Sequence, residues 1–368
     1  MSAGGAIRFA GFDLPEVLHD EGDSLLLRCV RQGDGRPVLV CLAAMEPLQR
    51  ELVVLQHLAA EAELRGEPLA APRALGLERD GAALALVLDD PGGVALEQVL
   101  GGQALPVELA VELALAITSA LARVHAAGVL HRDLRPAHVL VDLARGSAAL
   151  VGFAAAVIAD EAAPVALPAG AAAYQSPEMT GRTDRTSDHR SDYYALGALI
   201  YHMLTGRPPF DESDPLRLIH AHIVRLPPAP DAVRPAVPRG LSRIVLKLLA
   251  KTPEARYQST HGIRADLLRC RDELLPGVAA DFEPGSEDRS ERLQLPDLLL
   301  GRGELLAGLL AVYEGCAAGP ARLVLLTGPT GIGKSALLRE LQAQVAARGG
   351  QLAPGACSQK AKRPASGP

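Results

Sequence analysis

The chain has no tryptophan, only 3% aromatic residues, and no lysine before Lys247, although arginine is abundant. Chemistry that needs a lysine ammonium therefore cannot draw one from residues 1–246. Basic blocks are equally scarce. Apart from a short KAKR run at 360–363 there is none, and a net charge of −6 gives no overall field to attract nucleic acid or an anionic membrane surface. The five cysteines, Cys29, Cys41, Cys270, Cys316 and Cys357, are odd in number, scattered and free of Cys-x-x-Cys spacing. That excludes a disulfide framework and a zinc site and fits a reducing cytoplasm, with no metal centre expected. The N-terminus lacks a basic start followed by an apolar core, and the apolar segment 105–122 is broken by Glu108 and Glu112. Neither a secretory signal nor a membrane span is expected.

What is present suits two domains: 368 residues, 48% of them hydrophobic. The runs SLLLRCV (24–30) and RPVLVCLA (36–43) flank QGDG, a turn signal that predicts a hairpin. EPLQRELVVLQHLAAEAEL repeats apolar residues at helical spacing, and GAALALVLDD reads as a buried strand ending in a polar hinge. From about 96 the pattern turns helical, with a long amphipathic stretch at 106–127 leading into His131-Arg132-Asp133. Residues 276–296 are acidic and rich in Pro, Gly and Ser, the composition of a linker. Beyond it, ARLVLLTGPTGIGKSALLREL (321–341) predicts strand, turn and helix, and Gly328 to Ser335 satisfies the phosphate-binding pattern G-x-x-x-x-G-K-[ST].

The stretch VLHRDLRPAHVLVDLARGSAALVGFAAA resembles the catalytic and metal loops of Ser/Thr protein kinases. Further on, Ser176-Pro177-Glu178 is similar to the Ala-Pro-Glu segment, HRSDYYALGALIYHMLTGRPPF to the buried large-lobe helix, and EARYQS to the segment whose arginine pairs with that glutamate. The whole order resembles bacterial multidomain signalling proteins in which a kinase-like domain is fused to an AAA-type ATPase and often to a sensor histidine kinase. The resemblance implies an α+β bilobal protein-kinase-like fold followed by the start of an α/β P-loop NTPase domain. Its boundaries are a kinase-like domain at 14–275 (small lobe about 14–90, large lobe about 91–275), a linker at 276–300, a truncated AAA-type P-loop segment at 301–350 and a flexible tail at 351–368. One βα unit cannot bury both faces of a parallel strand, so the P-loop segment is expected to fold loosely in this chain.

Carried over residue by residue, the resemblance makes Asp133 the base, gives Arg135 the place of the lysine that steadies the transferring phosphate, and makes Glu51 the helix glutamate that pairs with the phosphate-binding lysine. It also implies that Asp192 supports the backbone of the catalytic loop at His131 and Arg132, and that Glu178 and Arg256 form a buried ion pair. Four positions depart from the pattern: Cys41 stands for the lysine, His138 for the metal-binding asparagine, Gly152 for the metal-binding aspartate and Ala171 for a substrate-positioning threonine. Cys41 then reads as a small buried hydrophobe in preference to a redox switch. The glycine-rich loop keeps one glycine, Gly22, among Asp20, Glu21 and Asp23, and no serine or threonine lies between Ala155 and Gln175 to be phosphorylated opposite Arg132. The retained scaffold and missing chemistry point to a pseudokinase acting as a regulatory scaffold on signalling domains, AAA and histidine-kinase modules among them, with no ATP in its cleft. The alternatives are a weakly active ATP-dependent Ser/Thr kinase using Asp133 and Arg135, and an ATP-binding module whose Gly328, Gly331, Gly333, Lys334 and Ser335 hold ATP with magnesium.

Overall fold

The computed structural model of the chain describes residues 10–22, 24–81, 83–158, 169–182, 185–273, 282–289, 303–316, 319–320, 322–327, 337–338, 341 and 344–345. The P-loop residues Gly328, Gly331, Gly333, Lys334 and Ser335, the tail at 351–368, Cys357 and the side chain of Ala171 lie outside them. The chain divides into two compact units, Met1–Glu291 and Arg292–Pro368.

The first unit opens with an antiparallel sheet in the order β1-β2-β3-β5-β4. Its strands are β1 (Phe12–Asp20), β2 (Leu25–Arg31), β3 (Pro37–Leu42), β4 (Ala74–Asp80) and β5 (Ala83–Asp89), with α1 (Met45–Arg65) between β3 and β4. Strand alternation decides what reaches the cleft. Along β3, Val38 and Val40 pack into a satellite cluster with Phe12, Leu27 and Val87, while Leu39 and Cys41 face the main core. On α1 the buried stripe is Leu48, Glu51, Leu55 and Leu58, spaced three to four apart, so helix periodicity itself drives the Glu51 carboxylate inward.

The large lobe follows with β6 (Val94–Ala95), α2 (Leu96–Leu100), α3 (Val107–Ala126), β7 (Val129–Leu130), β8 (Val139–Asp142), β9 (Ser147–Leu150) and β10 (Val157–Ile158). Its helical half is α4 (His189–Thr205), α5 (Pro215–Val224), α6 (Pro230–Val233), α7 (Arg239–Leu248) and α8 (Thr260–Glu273). The β8–β9 hairpin carries the catalytic loop on one side and Gly152 on the other. Helix α4 is buried from Ser191 to Leu204 apart from the half-buried His202, and Gly197 lets it touch α7, because a Cβ there would lie 2.6 Å from the Leu248 Cβ.

The linker expected at 276–300 needs correction, because residues 282–289 are docked on the large lobe. Asp288 accepts from the Gln258 N–H at 2.7 Å, the Ser259 N–H at 3.0 Å and the Ser259 hydroxyl at 2.7 Å. Ser259 in turn accepts from the Gly262 N–H and caps α8. The Gly285 N–H donates to Asp266 at 2.6 Å, and the Arg269 guanidinium lies 4.9 Å above the Phe282 ring. A polar, proline-bearing composition thus hides a strap held by a carboxylate on the backbone N–H groups just ahead of α8. Asp288→Ala is expected to lower the melting temperature of the unit by several degrees, at about 2–4 °C per kcal/mol for a domain of this size. An unchanged melting curve would show that the strap is undocked in solution. In the second unit the described helix is α9 (Gly303–Cys316).

Candidate functional site

Between β2, β3, α1 and the catalytic loop lies a cavity of about 520 Å³. Cys41 faces it from β3, half-buried, with its thiol pushed up by burial and by the nearby Glu51 carboxylate. Glu51 is 4% exposed, and burial pushes its carboxyl to about 7 even though it accepts from the Phe153 N–H at 2.9 Å. It makes no ion pair among the described residues.

Asp192 organises the loop. Its Oδ2 accepts from the His131 N–H at 2.9 Å and lies 2.8 Å from His125 Nε2, while Oδ1 accepts from the Arg132 N–H at 2.8 Å. These bonds hold Arg132 at φ 65°, a left-handed backbone that a non-glycine residue keeps only when its surroundings impose it. His131 is buried against Phe153 with its pKa lowered to about 4 by burial, so the ring is neutral. Asp133 is 6% exposed and burial pushes its carboxyl to about 6. Below the loop, Arg256 grips Glu178 with both guanidinium nitrogens, at 2.6 and 2.8 Å, and both residues are buried.

Residues 73–268 match the protein kinase domain family, more than half of the chain. The chain belongs to that family. Residues 298–366 match the AAA ATPase domain. The serine/threonine-protein kinase PknB of Mycobacterium tuberculosis is 35% identical over 188 residues, 50% of this chain and 30% of that kinase. Pkn1 of Myxococcus xanthus is 35% identical over 189 residues, 50% of this chain and 27% of its own. The hybrid signal transduction histidine kinase G of Dictyostelium discoideum is 33% identical over 188 residues, 45% of this chain and 6% of that protein. The chain thus spans less than a third of the length of these curated relatives. The family match starts at residue 73, yet β1, β2, β3 and α1 lie upstream of it and complete the small-lobe sheet with β5 and β4.

The kinase family implies ATP with magnesium in this cleft, and the residues present do not fit the metal. His138, at the asparagine position, is hydrogen-bonded through Nδ1 to the Asp133 carbonyl at 2.8 Å and lies with Nε2 3.0 Å from the Arg135 guanidinium. The ring donates at Nδ1 and accepts at Nε2; burial, then Arg135, lower its pKa to about 3, which keeps it neutral. The same ring fills the space above Gly152, where a Cβ would fall 2.6 Å from His138 Cδ2. A neutral imidazole against a glycine offers none of the hard oxygen ligands magnesium demands.

The sequence left Asp133 and Arg135 free to act; the structure ties both up. Arg135 is ion-paired with Glu21 from the β1–β2 turn, and its Nε lies 3.1 Å from Asp133. Burial favours the neutral form of Glu21, but the Arg135 fork more than offsets this and holds the carboxyl below its ordinary range. A carboxylate thus occupies the cation that would face a phosphate. In the sequence Glu21 reads only as one of three acidic residues around the single loop glycine. It also passed over Leu39, which stands for the alanine of the Val-Ala-Ile-Lys pattern and packs fully buried in one cluster with Leu18, Leu88 and Leu140. The available signal was that Leu39 lies two residues before Cys41, on the same strand face.

Proposed function

We propose that residues 12–291 are a catalytically impaired protein-kinase domain, a pseudokinase, that works as a regulatory scaffold in signal transduction. The observation that carries the reading is the His138 ring seated against Gly152, since it takes both metal-binding positions at once. Without the metal, the lysine and a free Arg135, most of the electrostatic stabilisation that phosphoryl transfer needs is gone. This weighs against a weakly active kinase built on Asp133 and Arg135. The fold is kept by the Asp192 bonds and the Glu178–Arg256 pair, which serve a binding surface as well as an enzyme. Partners are other signalling domains, AAA and histidine-kinase modules among them, a reading supported by the AAA match and by a relative that is itself a hybrid histidine kinase. The free cysteines Cys29, Cys41, Cys270 and Cys316 suit a reducing cytoplasm.

A second reading rests on its own motif: ATP with magnesium binds at the P-loop, through Gly328, Gly331, Gly333, Lys334 and Ser335, in the segment that matches the AAA ATPase domain. Calorimetric titration of ATP, with and without magnesium, into the full chain and its Lys334→Ala variant tests both. The expected result is magnesium-dependent binding that Lys334→Ala removes. Micromolar magnesium-dependent binding that survives Lys334→Ala would sink the pseudokinase reading. No binding to either chain would sink the P-loop reading and leave the scaffold.

A further inference from the structure

We propose that the cavity beside α1 is a binding site for an organic ammonium, whose protonated amine pairs with Glu51 and whose apolar body lies against the cavity wall. The inference rests on the cavity and its charges, and holds whether or not the domain transfers phosphate. Glu51 is almost fully buried, lines the cavity and has no counter-ion among the described residues. A buried carboxylate is stable only when paired or neutralised. Cys41 is three heavy atoms shorter than the lysine side chain it replaces, and the space left opens into a cavity of about 520 Å³, within the range of small-ligand pockets.

The sign of the ligand follows from the remaining charges. The lining carries four carboxylates, Glu21, Glu46, Glu51 and Asp133, against two arginines, Arg50 paired with Glu46 at 3.2 Å and Arg135 paired with Glu21 and Asp133, so the carboxylates are in surplus. Leu25, Leu26, Leu42, Pro47 and Leu48 supply the wall for an apolar body. A bare metal ion is the poorer fit, since no group of three or more His, Cys, Asp or Glu converges among the described residues.

The pH dependence has a definite direction. The titratable and charged groups that line the cavity with Glu51 are His19 on β1, Glu21 in the β1–β2 turn, the Cys41 thiol on β3, Glu46 and Arg50 on α1, and Asp133, Arg135 and His138 in the catalytic loop, while the Gly152 and Phe153 amides bond Glu51 itself. Of these Asp133 titrates near 6 and His138 stays neutral, while Glu51 titrates near 7. An alkylammonium keeps its proton to about pH 10. Binding therefore strengthens as pH rises through 7, because the carboxylate forms while the amine stays charged.

The test is calorimetric titration of phenylbutylamine into the full chain, with phenylbutanol as its uncharged isostere. The expected result is amine binding that tightens about tenfold between about pH 6 and about pH 8, with the alcohol weaker and indifferent to pH. Glu51→Gln removes both the amine preference and the pH step. Should that variant fail to fold, Cys41→Lys decides, because a tethered ammonium on the same carboxylate abolishes amine binding. Equal binding of amine and alcohol, a flat pH profile, persistence of binding in Cys41→Lys, or no amine binding overturns the proposal.

Discussion

Arg256→Ala is expected to lower the unfolding free energy of the kinase-fold unit by about 3–5 kcal/mol. The size follows from what is left behind. Both nitrogens of the guanidinium fork grip Glu178, Nη1 also donates to the Arg190 carbonyl at 2.9 Å, Nε to that of Ala250 at 2.8 Å and Nη2 to that of Lys251 at 3.1 Å. Truncation strands the buried Glu178 carboxylate with the Ser191 hydroxyl, 2.7 Å away, and its own backbone N–H, and leaves those three carbonyls short of a donor. Burial alone would raise the Glu178 pKa, but Arg256 more than offsets it, so the folded value lies below the ordinary 4.5. The pair therefore stabilises the fold above that pH, and its contribution is lost as pH falls through the depressed folded value. Urea unfolding checks both points: a lower midpoint at unchanged slope, and a shallower acid limb in the variant. Replacing Glu178 and Arg256 together with methionine should recover part of the loss, since most of it is an uncompensated charge. A loss under about 1 kcal/mol would put the pair among exposed ion pairs and remove the main support for a retained scaffold.

Much of this was legible because it is periodic or sits in a motif. The apolar run in RPVLVCLA beside its turn signal and the three-to-four spacing in the α1 segment gave those elements to within a residue or two, since strand runs and helical periodicity both show directly in hydropathy. Asp192 and the Glu178–Arg256 pair are separated from their partners by 61 and 78 residues, and only the motif links them. Strand β4 was missed: ALGLERD is half-exposed along its length and has no apolar run. The ion pair of Glu21 with Arg135 spans 114 residues and leaves no local trace. By sequence Glu21 is one acidic residue among three around Gly22, whereas the fold makes it the partner of the loop arginine. The strap at 282–289 failed for another reason. Its anchors are Asp288 on backbone N–H groups and a Gly285 N–H on Asp266, and composition cannot separate such contacts from a solvated linker.

The block at the metal site is steric as well as chemical, and this predicts a reversal of sign. Gly152→Asp alone restores a metal ligand on paper, yet its Cβ must enter at 2.6–2.7 Å from three atoms of the His138 ring, on a backbone held at φ 76°. Overpacking of this kind costs about 1–3 kcal/mol, and the left-handed conformation adds to it, less for aspartate than for most residues. His138→Asn removes the ring, so the double variant should be more stable than the sum of the singles by at least about 1 kcal/mol, a coupling expected only for side chains in contact. Adding Cys41→Lys supplies the counter-ion that Glu51 lacks. In a Lys334→Ala background, where the P-loop is silent, this triple variant is expected to bind ATP with magnesium at a Kd below about 1 mM, against none for the parent. Binding should tighten further with Glu21→Gln, because the Arg135 fork is then released toward the phosphates. In the same Lys334→Ala background, magnesium-dependent ATP binding by Gly152→Asp without the other changes, with no loss of stability, would show that the imidazole yields freely and that the cleft is closed by something other than the histidine wedge.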